Sequence, residues 1–178
     1  MSVDFNALVL KPITMLNVLR TAESVLAELV GVADPPAIRA VIGRRWQLGR
    51  TDDDGTEMTT EQLATVVIGL GRTDPGIELI DESGADLAGL VVSTTSTDCI
   101  LVVSPRRDAR GIVSGLAIAM AAALLGDGRV IDNDLRLVED EADIASIVAS
   151  TRLPPHDQPI ADACASYLRQ FPQLEGRS

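Results

Sequence analysis

Hydrophobic positions along this chain follow two periods, and the switches between them mark its elements. Val3, Phe5, Ala7 and Val9 alternate with other residues, which predicts a strand over 3–10, placed at a sheet edge. Pro12 and Thr14 then open a helix. Its apolar stripe is Met15, Val18, Leu19, Ala22, Val25, Leu26 and Leu29, its wet face carries Arg20, Glu23, Ser24 and Glu28, and Gly31 ends it. Residues 34–50 carry two readings. Asp34-Pro35-Pro36 can start a short helix through Ile38, Val41 and Ile42, whereas Ile38, Ala40 and Ile42 also alternate as in a strand. The short helix is taken here, with a strand around Trp46–Leu48 and a loop at Thr51–Gly55. Thr59 and Gln62 fit a capping box ahead of Leu63, Val66, Val67 and Leu70, although the β-branched run 66–68 weakens a helix there.

The central stretch runs from Asp98 to Asp132. After a turn at Thr73–Gly76, extended segments at 77–81, 88–94 and 99–104 are joined by short connections, which favours an antiparallel meander. Ser104 followed by Pro105 reads as a helix start, and the helix runs to Leu125 with no charge between Gly111 and Gly126. A helix apolar all round is a buried one, and this run is too short for a membrane span. Ile112, Leu116, Met120 and Leu124 form a large ridge, expected against a sheet. Gly111, Gly115, Ala119 and Ala123 form a small row, expected against a second helix. Strands at 129–132 and 135–138 flank Asn133-Asp134, a hairpin turn. Helices over 140–151 and 158–171 close the chain, joined by the stiff connector Leu153–Pro159. The expected fold is α+β: an antiparallel sheet of about five or six strands packed on a buried central helix and an amphipathic N-terminal helix. Two C-terminal helices complete a single domain over 1–178, of which 153–178 form a short helical appendage.

Composition narrows the function. With 26 Asp and Glu against 15 Lys and Arg, the 178-residue chain has a formal charge of −11 and a sequence pI near 4.4. That argues against nucleic acid and anionic membrane as partners and permits a basic protein. Cys99 and Cys164 lie in apolar segments and read as buried thiols in a reducing compartment; no secretory signal is visible at the N-terminus. A single lysine, Lys11, with arginine elsewhere and abundant Ala and Val, points to a GC-rich bacterial genome.

Catalytic constellations mostly fail. His156, the only histidine, sits in the proline-rich connector and reads as a loop residue. Gly111-Ile-Val-Ser-Gly115 has its serine one place late for a nucleophile elbow. Gly69-Leu-Gly71 lacks the third glycine of a dinucleotide fingerprint, and no phosphate loop is present. Asp52, Asp53, Asp54 and Glu57 can gather a hard cation, but a solvated acidic loop is the simpler reading, and no metal or cofactor is assigned. Asp81, Glu82 and Asp86 offer carboxylates for acid–base work with no pocket inferable. Arg106, Arg107 and Arg110 read as a solvated basic rim at the central helix's start rather than an anion site.

The order of elements carries a resemblance. An amphipathic first helix is followed by a meander ending in Ile100-Leu-Val-Val-Ser-Pro105, then the small-residue helix Ser114–Leu125, then Val130-Ile-Asp132 and acidic C-terminal helices. This resembles immunity proteins encoded beside bacterial polymorphic toxins, including those paired with type VII secretion effectors. The resemblance implies a cytoplasmic, non-enzymatic protein that binds and occludes a cognate toxin domain 1:1; the immunity factor of a secreted NAD glycohydrolase is the specific candidate. Interface anchors are usually Trp, Tyr and Arg. Arg44, Arg45 and Trp46, beside Asp52, Asp53, Asp54 and Glu57, are therefore the expected partner-binding surface, with Trp46 in the core as the competing reading. Two other functions fit the composition. A secretion chaperone or adaptor would expose an apolar groove, and a small metal-dependent hydrolase would use Asp52–Glu57.

Overall fold

The computed structural model describes residues 3–42, 46–47, 50–51, 55–71, 76–95, 97–132 and 144–171. In chain order the elements are β1 (Phe5–Val9), β2 (Ile13–Thr14), α1 (Met15–Val30), β3 (Arg39–Ile42), β4 (Trp46–Gln47), β5 (Arg50–Thr51) and β6 (Thr56–Glu57). There follow α2 (Thr60–Thr65), β7 (Val67–Ile68), β8 (Ile77–Ile80), β9 (Asp86–Thr94) and β10 (Cys99–Pro105). The last are α3 (Ala109–Leu125), β11 (Val130–Asp132), α4 (Ile144–Thr151) and α5 (Ile160–Leu168). The fold is α+β. One antiparallel sheet of seven strands, ordered β11-β1-β10-β9-β8-β3-β6, replaces the five or six expected, and β2–β7 and β4–β5 form small two-stranded sheets.

The meander β8-β9-β10 stands as the sequence predicts. The N-terminal strand does not lie at an edge: β1 runs antiparallel to β10 on one side and β11 on the other. β10 and β11 are therefore parallel to each other, and α3 crosses over β1 to join them. Gly128 makes this possible, since a Cβ there would stand 1.8 Å from the Leu8 carbonyl oxygen.

Residues 39–42 form a strand and not the expected short helix. β3 has a ladder on both sides, with β8 and with β6, and those backbone bonds outweigh the weak helical pattern around Pro35 and Pro36. The Thr59–Gln62 capping box forms in both directions, but α2 stops at Thr65. The β-branched residues that follow pair instead with β2, Ile13 opposite Ile68. The hairpin expected at 133–138 lies outside the described residues beyond β11.

The central helix starts later than predicted. Ser104 and Pro105 finish β10, paired with Gly89 and Ala88, and Asp108 is the N-cap, its carboxylate accepting from Gly111 N–H at 2.8 Å. Every residue from Gly111 to Ala123 is buried. The two glycines of the small row, Gly111 and Gly115, turn to the sheet and not to a second helix as expected. A Cβ on Gly115 would meet Pro105 Cβ at 2.9 Å and the Phe5 ring at 3.4 Å, and one on Gly111 would meet backbone of Arg106 and Leu87. Close helix–sheet approach is thus what the glycines serve. α1 and α5 cover α3 from the remaining sides, and Ala163, Cys164 and Tyr167 of α5 share its buried cluster.

α1 is capped as its sequence predicts, by Thr14 at the start and by left-handed Gly31 (φ 68°) at the end. Gly31 also receives the connector that follows α4. Leu153 N–H donates to Leu29 O, His156 N–H to Gly31 O, and a Cβ at Gly31 would lie 2.4 Å from the Pro154 oxygen. Gly84, also at positive φ, has open space around it. Gly84→Ala is expected to cost about 1 kcal/mol from backbone conformation alone, and Gly31→Ala at least about 2 kcal/mol more from the added overlap. Urea unfolding of both variants checks this; equal losses would show that the connector does not press on the helix end.

Candidate functional site

Of the expected contact cluster, Arg44, Arg45, Asp52, Asp53 and Asp54 lie outside the described residues. Trp46 is placed in β4, where it pairs through the backbone with Thr51 of β5. Glu57 is placed in β6 opposite Val41, and its carboxylate accepts from Arg39 Nη1 at 2.9 Å. Arg39 is a residue that sequence reasoning did not single out.

Arg39 leads to the best-built polar cluster among the described residues. Its Nε and Nη2 donate to the Asp81 carbonyl at 3.2 and 3.0 Å, and Nη2 also reaches the Glu82 carbonyl. From the other side, Arg110 of α3 donates to the Asp81 carboxylate at 2.8 Å and to that of Glu82. Two arginines from different elements therefore clamp the β8–β9 turn. Within the turn, Asp81 Oδ1 accepts from Ser83 N–H, Ser83 Oγ–H and Ala85 N–H at 2.8, 2.6 and 2.9 Å. Burial pushes the Asp81 carboxyl up, but these bonds and the Arg110 charge outweigh it and hold the group below the usual carboxylate range. Glu82 is lowered chiefly by its bond from Arg110. Of the three arginines read as a basic rim, Arg110 is thus committed to the turn and Arg106 to Asp108 at 3.2 Å. The Asp81 carboxylate accepts from four donors, two of them from Ser83, one from Ala85 and one from Arg110, which suits a structural clasp better than acid–base chemistry.

His156 is held by its backbone bond to Gly31, and its Nδ1 accepts from Gln158 N–H at 3.3 Å. It lines an open groove of about 900 Å³ with Glu28, Val32, Ala149, Arg152 and Asp157, between the ends of α1 and α4. Burial raises the Cys99 thiol, and raises that of Cys164 to about 12, so both stand as protonated core groups. Among the described residues, no group of three or more His, Cys, Asp or Glu is placed to hold a metal, and no helix is long and apolar enough to cross a membrane.

The sheet has two unlike faces. Phe5, Ala7, Val9, Leu90, Cys99, Leu101 and Val103 point into the helical core. The intervening residues point the other way, and register sets them side by side. Leu8, Ile100 and Ser93 form one row; Ile131, Asn6, Val102 and Val91 form the next. Beyond them lie Ser104, Gly89, Glu78, Val41 and Glu57. Leu8, Ile100, Val102 and Ile131 are half-buried and Val91 is 48% exposed, and none belongs to the helical core. Among the described helices, α3 packs on β1, β9, β10 and β11, and α1 and α5 pack on α3.

No family model, curated protein or solved structure matches the chain.

Removing Arg110 tests the clasp. Asp81 is only 7% and Arg110 18% exposed at the side chain, so Arg110→Met should cost about 2 kcal/mol at pH 7. A carboxyl depressed in the fold stabilises it above the unfolded value, about 4 for Asp, and loses that contribution as pH falls through the folded value. The penalty of Arg110→Met should therefore shrink between pH 5 and pH 2. A penalty independent of pH across that window in chemical denaturation would assign the Arg110 effect to packing.

Proposed function

We propose that this protein is an immunity-type inhibitor, which binds a cognate toxin domain in a 1:1 complex in the cytoplasm and occludes its active site. The observation that carries the reading is the acidic balance, 26 acidic against 15 basic side chains and a formal charge of −11. A field of that sign steers the protein onto a basic cleft and repels acidic competitors. The order of elements, like that of immunity proteins of polymorphic toxins, supports it. A secreted NAD glycohydrolase is the specific toxin proposed.

The experiment is an affinity pull-down of the tagged protein from its own organism, with mass spectrometry of what is retained. One stoichiometric partner with a basic toxin-like domain is expected, and co-expression should rescue cells from that domain; if it is the NAD glycohydrolase, rescue should also restore cellular NAD. An export substrate as the partner, or a retained domain that remains toxic when co-expressed, would refute the inhibitor reading.

A further inference from the structure

We draw no further inference here: the strongest candidate, the sheet face opposite the helical core where Leu8, Ile100, Ile131, Val102 and Val91 lie in neighbouring rows, carries no charge in those rows to choose an occupant, and nothing in the structure shows what covers it.

Discussion

Burial of α3 on every side is the constraint from which the remaining architecture follows. Ile112, Leu116, Ile118 and Met120 are all at or below 2% exposure. Removing four such side chains from water contributes on the order of 8 kcal/mol, comparable to the whole net stability of a domain, about 5–15 kcal/mol. A helix with no polar face cannot lie on a surface, so it needs a sheet beneath it and helices around it. Glycines at 111 and 115 bring it down onto Phe5 and Pro105, and α1 and α5 close the other sides. The crossover from β10 through α3 to β11 then traps β1 between two partners. Within its buried stretch Gly111–Ala123, Ser114 is the one polar side chain, and its hydroxyl has no hydrogen-bond partner among the described residues.

What the sequence made legible was local. Thr14 and Gly31 bound α1, Thr59 and Gln62 cap α2, and the meander of β8, β9 and β10 falls in the expected segments, because each signal lies within a few residues of its effect. What was missed depends on distant partners. β1 is interior because it pairs with a strand more than a hundred residues later. Ser104-Pro105 has a good helix-start signature, yet β9 offers it a ladder and the strand wins. The row Gly111–Ala123 shows that backbone approaches closely somewhere along it, but not whether the approaching partner is a helix or a sheet.

The same distinction governs the polar cluster. Asp81 and Glu82 were visible as carboxylates, and Arg110 as part of a basic rim. Arg110 stands 29 residues from Asp81, and Arg39 42 residues before it. Only the sheet and α3 together put both guanidinium groups on one five-residue turn. The expected cluster around Trp46 rested on composition within a loop, and of its members the described side chain, Glu57, belongs with Arg39.

Alternation in β1 and β10 carries a second message beside the core it defines. Phe5, Ala7 and Val9 point into the core, as do Cys99, Leu101 and Val103, and that half of the pattern suffices to place both strands. The residues between them are free of that duty, and in a sheet meant only to face water they would be polar. Asn6 and Ser104 follow the rule, whereas Leu8, Ile100 and Val102 break it in adjacent positions of one register. Scattered apolar residues on a surface need no explanation, but apolar residues that a sheet's hydrogen-bond register aligns into neighbouring rows do.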